Sequence, residues 1–97
     1  MEVDVPLEDQ AGLARDFLEG LLNQFELSAE VQSEELDEDT LEVRVTGDDL
    51  GLLIGPKGST LGAIQDLTRT VVQRKSGGRT ARLLVDVGGY RQKRKVA

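Results

Sequence analysis

The sequence contains no cysteine and no histidine. Those absences exclude a disulfide scaffold, a zinc finger, Cys or His nucleophilic catalysis and any Ser-His-Asp triad. Aromatic residues are scarce, with one tyrosine, two phenylalanines and no tryptophan, so there is little on which nucleobases could stack. No apolar run is longer than three residues, Leu52-Leu53-Ile54 being one, which is far short of the ~20 apolar residues of a membrane-spanning helix. The N-terminus, Met1-Glu2-Val3-Asp4, is acidic and lacks the basic region and apolar core of a secretory signal. A soluble, cytoplasmic domain is the expectation.

What is present is one domain of 97 residues with an uneven charge. A chain of this length buries about two-thirds of its unfolded surface, enough for one modest core. The formal net charge of −6 argues against a polyanionic partner. Its distribution argues otherwise. Residues 1–49 hold 16 Asp/Glu against Arg15 and Arg44, a net −14, and residues 50–97 hold 10 Lys/Arg against Asp66 and Asp86, a net +8. At physiological salt a charge is felt over about 8 Å, so a partner meets a local patch and not the average.

Periodicity gives the elements. Ala14, Phe17, Leu18, Leu21, Leu22 and Phe25 recur on one helical face, which predicts a helix over 8–25 with Glu8 and Asp9 in its first turn. Leu27, Ala29 and Val31 alternate with polar residues as a short strand, and the acidic run 34–39 reads as a solvated hairpin loop. That run lacks the spacing of a calcium loop. Leu41, Val43 and Val45 form a clearer strand ended by Gly47. Asp48 is expected to cap a short helix through Ile54, with Leu50, Leu53 and Ile54 inward and Leu52 outward. Gly55-Pro56-Lys57-Gly58 breaks that helix. A helix over 59–74 follows, with Leu61, Ile64, Leu67, Thr68 and Val71 as its buried stripe. Residues 75–79 read as a flexible basic loop and 81–87 as a third strand. The tail from Gly88 carries Arg91, Lys93, Arg94 and Lys95 and is expected to begin a further helix.

The order α-β-β-α-α-β implies an α+β fold. The first two strands pair as a hairpin, and a helical crossover places the second and third side by side in parallel. The expected product is a three-stranded mixed sheet with three helices on one face.

One segment has chemical character. In Ile54-Gly55-Pro56-Lys57-Gly58 two helices meet, and the second offers its unpaired N–H groups and positive dipole end there. Glycines remove side chains, so a phosphate-bearing chain can approach the backbone, and Lys57 adds a full charge. There is neither a Walker A loop nor a G-x-G-x-x-G opening a helix. Carboxylates are plentiful, but none is visibly paired in a glycine-rich pocket, and no nucleophile or metal set exists, so an enzyme is not expected.

The stretch Gly51-Leu52-Leu53-Ile54-Gly55-Pro56-Lys57-Gly58-Ser59-Thr60-Leu61 resembles the signature of a KH domain, and the element order resembles the type II arrangement. With Gly62-Ala63-Ile64-Gln65 and Leu83-Leu84-Val85-Asp86-Val87-Gly88-Gly89-Tyr90-Arg91, the chain is similar to the bacterial Jag family, also called SpoIIIJ-associated, KhpB or EloR proteins. The resemblance covers roughly residues 10–95, leaving 1–9 as an extension, 10–88 as the domain and 89–97 as a basic tail. It implies binding of about four unpaired RNA nucleotides. Gly55, Pro56, Lys57 and Gly58 would clamp the backbone, continued by Ser59, Thr60 and Leu61, with Leu52 and Ile54 on or near an apolar groove. Arg74, Lys75 and Arg79, joined by Arg82, are expected to form a second phosphate-contacting wall. The tail cluster beginning at Arg91 is left outside the site as a linker. Pro56 departs from the many KH turns that carry a basic residue or a free N–H there.

No cofactor, metal or small-molecule substrate is expected. The implied partner is single-stranded RNA, with a homodimer or a second KH protein as a further partner and no membrane insertion. Family analogy points to bacterial post-transcriptional regulation linked to cell elongation or division. The family's Arg-x-x-x-His domain and N-terminal domain have no counterpart here, so an isolated module or short variant is expected. The alternative function is a protein-interaction or dimerisation module with little RNA affinity.

Overall fold

The computed structural model of the protein describes residues 5–77 and 80–91. Helix α1 (Leu7–Gln24) leads into strands β1 (Ala29–Asp37) and β2 (Thr40–Gly47). A single helical turn, α2 (Gly51–Ile54), and a 3-10 turn over Pro56–Gly58 precede helix α3 (Ser59–Ser76) and strand β3 (Arg82–Val87). The sheet order is β1-β2-β3, antiparallel between β1 and β2 and parallel between β2 and β3. The mixed sheet is as expected. Of the three helices expected, two run to 18 residues each among the described residues, and the short middle one is a single four-residue turn continued by the 3-10 turn.

Register decides which residues enter the core. Val45 stands between Val31 and Val87, and Leu41 between Glu35 and Leu83. Leu41, Val43, Val45, Leu83, Val85 and Val87 are all buried, against Ala14, Leu18 and Leu22 of α1 and Leu61, Ile64 and Val72 of α3. On the other face, Arg44 bridges Glu34 at 3.0 Å and Glu42 at 3.1 Å. That face is covered by polarity.

Four local expectations are corrected. Strand β1 runs through Asp37, so Glu34 to Asp37 is ladder and the turn is only Glu38-Asp39. Alternating burial stops where both faces meet solvent, and the pattern therefore hid the strand's second half. Asp48 caps nothing: Asp49 takes φ 57°, and the helical turn begins later, after Leu50. In α3 the stripe is Leu61, Ile64, Thr68, Val72 and Ser76, while Leu67 is 55% exposed. The 3-4-4-4 spacing is centred on Thr68, whose Oγ1 donates to the Ile64 carbonyl at 2.7 Å. Leu67 lies about 100° away around the helix. Finally, residues 75 and 76 belong to α3, which ends on Gly77 with φ 77°.

Side chains close the remaining gaps. Gln10 is buried at the start of α1, where its Nε2 donates to the Val5 carbonyl and its Oε1 accepts the Ala81 N–H, both at 2.8 Å. This ties the first helix to the chain entering β3. Gln65 of α3 does the same for β3 itself, accepting the Val85 N–H at 3.1 Å. Among the described residues no helix is long and apolar enough to cross a membrane.

Candidate functional site

The turn between α2 and α3 is shaped by positive backbone angles. Gly55 has φ 72° and ψ 177°, Lys57 φ 54° and ψ 25°, and Gly58 φ 80° and ψ 15°. The Gly55 conformation is essentially reserved for glycine. A Cβ there would also collide with the Thr60 side-chain oxygen and lie 2.9 Å from the Thr60 backbone nitrogen. A Cβ on Gly58 would come 2.7 Å from the Tyr90 ring. Both glycines are thus fixed by close approach. Pro56 begins the 3-10 turn, where its set φ is suitable and its lack of N–H costs little. The N–H groups of Gly55, Gly58 and Ser59 bond back to the carbonyls of Gly51, Gly55 and Pro56.

Lys57 is exposed at the apex. Helix α3 then starts with no side-chain cap and no acidic residue in its first turn. Its positive dipole end is left without the carboxylate that often balances it. Beside the turn, Leu52 is 61% exposed, Leu53 is buried and Ile54 packs partly on the core. The result is a bulk-free cationic apex at a helix start, next to an outward leucine, which can take an anionic chain carrying apolar groups.

The second wall is elsewhere. Arg74 and Lys75 lie in the last turn of α3, about 22 Å along the axis from Ser59 at 1.5 Å per residue. There they favour the negative end of that helix. Arg82 pairs with Thr40 across the ladder, its N–H bonds to the Asp39 carbonyl at 2.7 Å, and it lines a cleft with Asp37, Glu38 and Asp39. Asp37 is held below the ordinary carboxylate range, first by the Asp39 N–H, then by the Thr40 hydroxyl, with Arg82 adding a smaller attraction. Arg82 therefore faces carboxylates at the opposite end of α3 from the turn. Arg79 lies outside the described residues, as do Lys93, Arg94 and Lys95.

Other residues come to the turn instead. Glycines 88 and 89, both at positive φ, reverse the chain after β3 and bring Tyr90 onto Gly58. Tyr90 is partly buried against the core, the packing role suited to the end of the last strand. Arg91, which the sequence leaves outside the site, folds back against β3 and Gln65 of α3. The sequence signal was the Gly88-Gly89 pair, which marks a reversal and not a continued tail. Acidic β1 is the far edge strand, and its turn with β2 sits at the Arg82 end.

A profile of the family described as "KhpA/KhpB, KH domain" matches residues 11–85. A curated relative, the "RNA-binding protein KhpB" of Clostridium symbiosum, is 35% identical over 83 residues. The alignment covers 84% of this chain and 37% of that relative, so the chain spans little more than a third of its length.

Proposed function

The chain belongs to the KhpA/KhpB family of KH domains, and from that premise we propose that it binds single-stranded RNA, holding the backbone of about four unpaired nucleotides at the 55–58 turn. The observation that carries this reading is the turn itself. Lys57 is held outward between two glycines that admit no side chain, at the uncapped start of an 18-residue helix. Phosphate contacts dominate nucleic-acid affinity. Leu52 supplies an exposed apolar surface for a base, and Ser59 and Thr60 continue the contact into α3, whereas Leu61, expected at the site, is fully buried in the core and Ile54 packs partly on it.

The name of the Clostridium symbiosum relative supports the same ligand class. Glu34, Glu35 and Asp37 of the edge strand, with Glu38 and Asp39 of its turn, lie toward the Arg82 end of the sheet and not at the 55–58 turn, which favours entry of RNA from the α2–α3 side. A cytoplasmic location without enzymatic chemistry completes the proposal, and a role in bacterial post-transcriptional regulation linked to cell elongation or division rests on the resemblance alone.

The test is salt-dependent titration of a short unstructured RNA with the wild type and a Pro56→Asp, Lys57→Asp double variant. Aspartate tolerates the left-handed conformation at position 57, so the fold survives while the charge reverses. Loss of binding at low salt is expected, and equal binding refutes the reading. A second reading follows from the open edge of β1, with Glu30, Glu34, Glu35 and Asp37: a module that pairs with a basic partner, a second copy or another KH protein. Partner capture that survives the double variant, with no RNA shift at low salt, favours that second reading.

A further inference from the structure

The segment after β3 is held by an unusual set of contacts. The Arg91 N–H donates to Asp86 Oδ1 at 3.0 Å, its Nε donates to the Val85 carbonyl at 3.0 Å, and its Nη2 donates to Gln65 Oε1 at 2.8 Å. Gln65 Oε1 also takes the Val85 N–H. Both polar groups of Val85 on the open edge of β3 are therefore occupied by side chains, and the guanidinium is locked between α3 and that edge. Arg91 remains exposed despite these bonds.

Its position and its charge both matter. Gln65 is six residues beyond Ser59, which puts the guanidinium about 9 Å along α3 from the helix start. The neighbouring Tyr90 ring rests on Gly58. Among the described residues the ion pairs are Arg44–Glu34, Arg44–Glu42 and Arg69–Asp66, and Arg91 is in none of them. Its side chain is fixed by neutral acceptors, while the Asp86 oxygen takes the backbone N–H. A cation so held keeps its charge and has already lost rotamer freedom, which lowers the cost of ordering it on a ligand.

We infer that Arg91 is a phosphate-contacting residue of the RNA site, the second cation that Arg74, Lys75 and Arg82 are too distant to supply. This rests on the RNA-binding reading. Lys57 holds the backbone at the apex, and Arg91 takes a phosphate further along α3 on the β3 side, so that the strand runs from the turn toward the β3 edge.

The experiment measures affinity for a fluorescein-labelled octauridylate RNA across a series of salt concentrations, for wild type, Arg91→Gln, Arg91→Lys, Arg74→Gln and Arg15→Gln. For single strands each phosphate contact contributes about 0.7 to the slope of log K on log salt. Arg91→Gln lowers the slope by about that amount, Arg91→Lys keeps it with weaker affinity, and Arg15→Gln on the exposed face of α1 leaves it unchanged. A purely structural Arg91 would not move the slope. An unchanged slope in Arg91→Gln, or a fall in Arg74→Gln instead, overturns the inference. If the Pro56→Asp, Lys57→Asp variant loses binding while Arg91→Gln binds as wild type, this inference fails and the RNA-binding reading stands. A wild type without salt-sensitive binding overturns both. Should Arg91→Gln not fold, the Nε–H resonance of Arg91 in the unsubstituted protein decides: it shifts on RNA addition, and a fixed resonance overturns the assignment.

Discussion

Replacing Lys57 with glycine should stabilise the domain and weaken its RNA binding together. Lys57 sits at φ 54° and ψ 25°, a left-handed conformation that costs an L-residue roughly 1–2 kcal/mol. Glycine escapes that cost but loses more chain entropy on folding, about 0.5–1 kcal/mol. The side chain is exposed and in none of the ion pairs among the described residues, so little else is removed. The net is a gain of ~0–1.5 kcal/mol, and 1 kcal/mol raises the melting temperature of a domain this size by about 4–8 °C. For RNA the change has the opposite sign. A charge pair at 4 Å is worth about 1 kcal/mol in water and about 4 at the surface of a protein. Affinity at low salt should fall about tenfold, corresponding to about 1.4 kcal/mol. Thermal melts followed by circular dichroism and fluorescence anisotropy with a short RNA read the two effects separately. Lys57→Asn, which tolerates the same backbone, should behave likewise. A melting temperature lowered by more than a few degrees would refute the strain assignment, and unchanged RNA affinity would remove Lys57 from the site.

Gly55→Ala should destabilise by about 2–4 kcal/mol, combining a glycine-only conformation with collision against Thr60; urea denaturation measures it, and a loss under ~1 kcal/mol would contradict the close packing. Gln10→Ala leaves the Ala81 N–H without its partner and should cost about 1–3 kcal/mol by the same assay, with RNA binding unchanged. Asp37 has a depressed folded pKa, so its stabilising contribution is present above the ordinary aspartate range, near pH 4, and is lost as pH falls through the folded value. Asp37→Asn should therefore flatten the acid limb of a stability–pH curve, and an unchanged limb would contradict the role of the Asp39 N–H.

Legibility followed whether a residue's surroundings were local. The α1 helix and β2 were plain because their apolar residues repeat at one period against one core, although Phe25, counted on the helical face, lies past the end of α1 and is exposed. The glycine turn was plain because Gly55, Pro56 and Gly58 have few other uses in such close succession. The second half of β1 was hidden because neither of its faces is covered, so no alternation marks it. Leu67 misled for the converse reason: a buried Thr68, bonded to its own helix, holds the centre of the stripe that an apolar count assigns elsewhere. The basic residues were misgrouped because sequence proximity to a loop says nothing about which end of an 18-residue helix that loop occupies. Arg74 and Lys75 are near Arg82 in sequence, yet the carboxylates of the β1–β2 turn are what Arg82 faces. Arg91 joins the turn region only through the reversal at Gly88-Gly89 and two acceptors 6 and 26 residues away.

Backbone amide shifts during titration of isotopically labelled protein with a short single-stranded RNA test the central claim most directly. Shifts gathered at residues 52–62 and 85–91 are the predicted result. Shifts gathered at residues 72–82 or along β1, with the 55–58 turn silent, would contradict it.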